Sequence, residues 1–105
     1  MENKVLSYMG FAAKARKLVT GYNTCIYMME KRKIRLLILT EDLAENSVKK
    51  MVSAAEKHRV AYKIYGSREQ LSKITGNVDK GIFGITDNNF AKVISDGIDH
   101  IQSVK

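Results

Sequence analysis

The run Leu36-Leu-Ile-Leu-Thr40 is apolar at four successive positions and has the length of a strand. A strand with one wet face alternates apolar and polar residues. One this uniformly apolar is covered on both faces, as in a sheet held between two layers of helices. It is therefore expected to be the middle of its sheet.

The segments around it carry helical periodicity. Val5, Leu6, Met9, Ala12 and Ala13 predict a helix over Asn3 to Ala15, although Gly10 works against it. After a short extended segment, Lys17-Leu-Val-Thr20, residues Tyr22, Cys25, Ile26 and Met29 fall at i, i+3, i+4 and i+7 and predict a second helix opening at Gly21. Val48, Met51, Val52 and Ala55 repeat that spacing within a third helix, Glu45 to His58. Tyr62-Lys-Ile-Tyr65 reads as a strand. Ser67 and Gln70 have the spacing of a capping box, and Gly76 suits a C-terminal cap, so a short helix is expected over 68–75. Gly81-Ile-Phe-Gly-Ile-Thr86 is a further strand, and Phe90, Val93, Ile94, Ile98 and Ile101 mark one face of a last helix. The order αβαβαβαβα predicts an α/β fold, a three-layer α/β/α sandwich around a four-stranded mixed sheet. In such sheets, binding sites gather at strand ends and helix N-termini.

With 105 residues, the chain is long enough for one domain with a real core, and residues 1–105 are read as that domain. Its composition, 45% apolar and 28% charged, is that of a globular protein. No apolar run is long enough to span a bilayer, and the opening Met1-Glu2-Asn3-Lys4 lacks a secretion signal, so a cytoplasmic location is expected. One cysteine, Cys25, and two histidines, His58 and His100, suggest neither a disulfide nor a zinc site. Cys25 lies on an apolar helix face and is read as core. Methionines and tyrosines, mostly at apolar helical positions, are by default core fillers as well.

Charge narrows the partner. Eighteen Lys and Arg stand against eleven Asp and Glu, net +7. Much of the excess sits in two clusters, Lys14-Ala-Arg16-Lys17 and Lys31-Arg32-Lys33-Ile-Arg35. Concentrated positive charge attracts polyphosphate by releasing condensed counterions, but a solvated surface that keeps a small protein soluble has the same composition. On the helix opening at Gly21, the apolar face leaves Asn23 and Tyr27 outward. The first turn offers unpaired N–H groups, Asn23 a donor and an acceptor, and Tyr27 a stacking ring. Alternatively, Asn23 merely caps or solvates the helix and Tyr27 covers a neighbour.

Four segments carry a family resemblance: Met9 to Gly21, Lys33 to Asp42, Val60-Ala-Tyr62, and Ser67 to Gly76. In order and spacing they resemble the kink-turn-binding ribosomal proteins, the seven-Ae and thirty-e class, and most closely its short bacterial YlxQ-type members. The resemblance covers nearly the whole chain. It implies the three-layer fold, ribosome association, and binding of structured RNA through the Gly-x-Asn helix start and the loop before the last strand, here Gly21 to Tyr27 and Gly76 to Gly81. The implied RNA-binding residues are Gly21, Tyr22, Asn23, Thr24, Tyr27, Gly76, Asn77, Val78 and Lys80, with Lys31, Arg32, Lys33 and Arg35 on phosphates. Thr24 stands where the family has an acidic residue that reads guanine edges with the Asn, and Tyr27 where it has Lys. Structured RNA, ribosomal RNA foremost, is the expected partner; no cofactor, metal or membrane is expected.

Two other readings stay open. Glu41-Asp42 ends the central strand, a usual place for catalytic or magnesium-binding carboxylates, so the chain could instead be a small α/β enzyme or ligand-binding module. No nucleotide-binding glycine motif and no nucleophile–base set supports that. The third reading is a protein-interaction domain with an incidental basic face.

Overall fold

The computed structural model describes residues 3–103. Nine elements follow in the expected order: α1 (Lys4–Lys14), β1 (Leu18–Thr20), α2 (Tyr22–Glu30), β2 (Leu36–Leu39), α3 (Glu45–Lys57), β3 (Tyr62–Ile64), α4 (Arg68–Thr75), β4 (Ile82–Ile85) and α5 (Asn88–Ser103). The sheet is mixed, with strand order β1-β4-β2-β3. Strand β2 runs parallel to β3 and antiparallel to β4, and β4 is antiparallel to β1.

The apolar run at β2 is interior, and all four of its residues are buried. Because side chains alternate across a strand, they divide between two cores. Leu36 and Ile38 join Phe83 and Ile85 against α1, α4 and α5, through Val5, Met9, Leu71, Ile94 and Ile98. Leu37 and Leu39 join Ile82 against α2 and α3, through Cys25, Met29, Met51 and Ala55. Gly10, the weak point of α1 as a helix, is explained by packing. A Cβ there would lie 3.2 Å from the Ile74 carbonyl oxygen, so glycine lets α1 and α4 approach closely.

Two expectations need correction. Ser67 accepts the Gln70 N–H at 3.1 Å, but among the described residues Gln70 makes no return bond. Instead Asp42 reaches over from the β2–α3 loop and accepts the Arg68 N–H at 3.1 and 3.3 Å, so a tertiary carboxylate shares the capping. Tyrosine as core filler holds for Tyr65 and fails for Tyr22, which was placed on the apolar face of α2 and is exposed; Tyr27 is exposed, as its outward position predicts. Helix α2 buries only Cys25 and Met29, because it starts beside the open edge strand β1, where no further layer covers its outer face. Met9, Met29 and Met51 are core residues; Met1 lies outside the described residues.

Helices α1, α2 and α3 end in one way. After each C-cap the next residue is an arginine in the left-handed region: Arg16 (φ 60°), Arg32 (φ 59°) and Arg59 (φ 58°). Each closes a Schellman motif. Arg16 N–H donates to Ala13 O and Lys17 N–H to Ala12 O; the equivalent pairs run from Arg32 to Met29 and Lys33 to Met28, and from Arg59 to Glu56 and Val60 to Ala55. Glycine is the usual residue there, as Gly76 is after α4, and an L-residue costs about 1–2 kcal/mol. All three arginines lie at the same end of the sheet, where β1, β2 and β3 begin and β4 ends.

Candidate nucleic-acid interface

At the opposite end, β1 passes directly into α2. Gly21 N–H donates to Ile82 O at 3.0 Å, tying the junction to β4. Its backbone, φ 96° and ψ 156°, lies in a region essentially restricted to glycine, and this lets an extended strand turn into a helix within one residue. Among the described residues no side chain caps α2. Asn23 is its second residue, exposed and without a capping bond, which removes the reading of Asn23 as a cap. Tyr22, Asn23, Thr24 and Tyr27 are all exposed, and Lys31 Nζ sits 5.5 Å from the centre of the Tyr27 ring, covering part of one face.

The loop from Gly76 to Gly81 is built on α4. Ser72 is 3% exposed, and its hydroxyl accepts the Lys80 N–H at 2.7 Å and donates to the Lys80 carbonyl at 3.0 Å, closing the loop across its base. Asn77 N–H donates to Ser72 O at 2.7 Å, and its side-chain amide donates to Thr75 Oγ1 at 3.0 Å. Arg68 pairs with Asp79 at 3.2 Å. Held at both ends, the loop presents Val78 with 85% of its surface exposed, an apolar side chain with no internal partner layer. Lys80 is also exposed, and Asn77 half-exposed.

The helix start and the loop, about fifty residues apart in sequence, come together. Between them lies an open groove of about 400 Å³ lined by Thr20, Thr24, Thr75 and Asn77, and extended by Leu18 and Val19 of β1 and Ala13 of α1. Sequence reasoning missed Ala13, Leu18, Val19, Thr20 and Thr75, since short-range patterns mark them only as helix or strand positions. Thr86 N–H and Gly21 N–H bond Lys17 O and Ile82 O across β1 and β4, so the alternate backbone groups, those of Leu18 and Thr20, face out of the sheet's edge toward the groove.

Lys31, Arg32, Lys33 and Arg35 do not join this groove. They are exposed, but they follow the far end of α2, about 13 Å from Gly21 for a nine-residue helix. There Arg32 meets Lys57, His58 and Arg59 from the end of α3, residues that sequence reasoning left unassigned, around an open cleft of about 390 Å³. The run Lys57-His-Arg59 was visible, but basic residues in a last helical turn are expected simply to complement the helix dipole.

Glu41 and Asp42 have a different setting from that of a catalytic pair. Desolvation pushes the Asp42 carboxyl upward, but bonds from the Thr40 hydroxyl and the N–H groups of Arg68 and Asp42, with the Arg68 charge, outweigh it and hold the carboxyl below its ordinary value. Asp42 is thus occupied with capping α4. Among the described residues no group of three or more His, Cys, Asp or Glu could hold a metal ion, and no helix is long and apolar enough to cross a membrane. Burial pushes the Cys25 thiol up to about 12, in keeping with a core position.

Comparison with known proteins gives this arrangement a context. The chain is 34% identical over 88 residues to the RNA-binding protein YlxQ of Bacillus subtilis (strain 168), covering 83% of this chain and 88% of that one. It is 30% identical over 89 residues to the RNA-binding protein YlxQ of Enterococcus faecium, covering 85% of each. A structure of a protein of unknown function from Bacillus halodurans superposes with TM-score 0.90 at 28% identity, over 93% of this chain and 99% of that one. The Giardia lamblia 15.5kD RNA binding protein shares the fold, with TM-score 0.77 at 18% identity over 100% of this chain and 93% of that one. The model of the ribosomal protein L7Ae/L30e/S12e/Gadd45 family matches residues 3–95, and the chain belongs to that family.

Proposed function

We propose that this chain is an RNA-binding protein that recognises structured, kink-turn-like RNA through the start of α2 and the 76–81 loop, and that it works on ribosomal RNA as a ribosome-associated factor. The observation that carries this reading is the groove, which unites Thr24 of the helix start with Thr75 and Asn77 beside the loop. Relatives at 30–34% identity bear the name RNA-binding protein, which supports the same class of partner.

The chemistry follows from the groups present. The uncapped first turn of α2 offers N–H groups to a phosphate or a base edge. The Asn23 amide, with no hydrogen-bond partner among the described residues, can donate and accept together on one base edge. Thr24 adds one hydroxyl, Tyr22 and Tyr27 offer rings, and Val78 offers an apolar contact to an unstacked base. Lys80 supplies charge at the loop, and Lys31, Arg32, Lys33 and Arg35 supply attraction that is independent of sequence. The use of Asp42 in capping speaks against an enzyme built on Glu41 and Asp42.

Asn23→Ala tests the reading. A bidentate amide contact carries about 1–3 kcal/mol of discrimination, so the variant should lose kink-turn RNA relative to a plain duplex while binding the duplex as before. Equal affinities of wild type and variant for both RNAs would remove the α2 start as the reading element. Sequencing RNA crosslinked to the protein in cells identifies the target, and absence of ribosomal RNA among the crosslinks would refute the ribosomal assignment.

A further inference from the structure

Charge is distributed against the groove. The four connections at its end of the sheet, residues 20–24, 40–45, 66–70 and 76–81, hold five carboxylates (Glu41, Asp42, Glu45, Glu69 and Asp79) and two bases (Arg68 and Lys80). Four segments form the opposite end, residues 14–17, 31–35, 57–59 and 86–87. They hold nine of the eighteen Lys and Arg and one carboxylate, Asp87, which accepts the Phe90 N–H at the start of α5. The end that has the geometry to read bases is therefore not the end that most attracts phosphate.

At the basic end the cleft of about 390 Å³ is walled by Arg32, Lys57, His58 and Arg59. Among the described residues, none of these four side chains enters an ion pair. Their positive charge complements the C-terminal dipoles of α2 and α3, but capping does not use the guanidinium groups. The carbonyls in question are already taken by the backbone N–H groups of Arg32, Lys33, Arg59 and Val60. Dipole compensation also needs no side chain at the left-handed position, where glycine is more easily held. Two arginines remain, one from each helix end, facing one cleft with their forked donors unspent among the described residues. That fork matches two oxygens of a phosphate group.

We propose that this end of the molecule is a second RNA-docking surface, in which Arg32 and Arg59, flanked by Lys57 and His58, hold the phosphate backbone of an RNA segment other than the one in the groove. The proposal rests on the reading of the chain as an RNA binder. The protein, 36 Å in its longest dimension, then bridges two segments of one folded RNA. The groove end discriminates, and the basic end contributes affinity that falls with salt.

Two double variants test it, Arg32→Gly with Arg59→Gly and Arg32→Gln with Arg59→Gln. The first relieves the left-handed backbone and the second keeps it, so loss of charge and change of fold are separated. Affinity is measured by fluorescence anisotropy between about 50 and about 200 mM salt, on a kink-turn RNA with long helical arms and on a plain duplex. Each phosphate contact contributes a slope of about −0.9 in log affinity against log salt, so two contacts make wild type lose about tenfold more affinity over that range than either variant. The preference for kink-turn over duplex should be unchanged in both variants, and Asn23→Ala should show the reverse, slope kept and preference lost. If both double variants keep wild-type affinity and slope on every RNA, the second surface is refuted while the groove reading stands. If the slope falls but wild type itself shows no preference for the kink-turn, the groove reading fails and the basic surface stands. No binding of wild type to either RNA overturns both.

Discussion

Thr24→Glu separates recognition from bulk electrostatics, because the two predict opposite signs. Thr24 is the third residue of α2, exposed on the wall of the groove, and the first turn of that helix carries no acidic residue. A carboxylate there faces the positive end of the helix dipole and should stabilise the fold by about 0.3–1 kcal/mol. The return bond of a capping box is not available, since the Gly21 N–H is committed to Ile82 O at 3.0 Å, so the gain is electrostatic only. For a domain of this size it raises the melting midpoint by about 1–8 °C. On RNA, one added negative charge in a chain of net +7 weakens every complex slightly if the surface acts only through charge. If the α2 start reads guanine edges, the new carboxylate supplies a second acceptor pair beside Asn23. A contact of about 1–3 kcal/mol then tightens kink-turn binding by about 5- to 150-fold. Anisotropy titrations of kink-turn and duplex RNA at one salt concentration, with a melting curve of each protein, decide the matter. A variant that melts higher yet binds both RNAs equally more weakly refutes the reasoning, since the helix would be intact and the site idle.

Two further outcomes bear on the scaffold of the site. Ser72→Ala removes both bonds that close the 76–81 loop and should cost about 1 kcal/mol, with faster hydrogen exchange at the Lys80 amide; an unchanged exchange rate would mean that the loop is held by other contacts. Cys25, its thiol raised to about 12 from 9.0 by burial, should resist alkylation in the native protein at pH 8 and react once the protein is unfolded. Because the folded value is the higher one, this group's contribution to stability is complete below about pH 9 and is lost as pH rises toward about 12. Rapid native labelling would contradict its core position.

Local patterns determined much of this protein. Side-chain period is a property of neighbouring residues, so the uniformly apolar Leu36 to Leu39, the helical repeats around Met9, Cys25 and Met51, and the cap at Gly76 were legible from the chain alone, and with them the layered fold. The family's pattern likewise pointed to Gly21, Asn23 and the loop before the last strand. Other features depended on which segments meet. The antiparallel insertion of β4 between β1 and β2 brings Thr24 to the groove shared with Thr75 and Asn77, a juxtaposition fixed by backbone bonds across the sheet that no run of residues encodes. The role of Asp42 was also hidden, because its partner, the Arg68 N–H, lies twenty-six residues away. The basic cluster was plain as composition, but its position was not. Only the length of α2 and the return of the chain through α3 carry Arg32 away from Gly21 and set it beside Arg59, since charge is a local property of the chain and its distribution over a surface is a property of the fold.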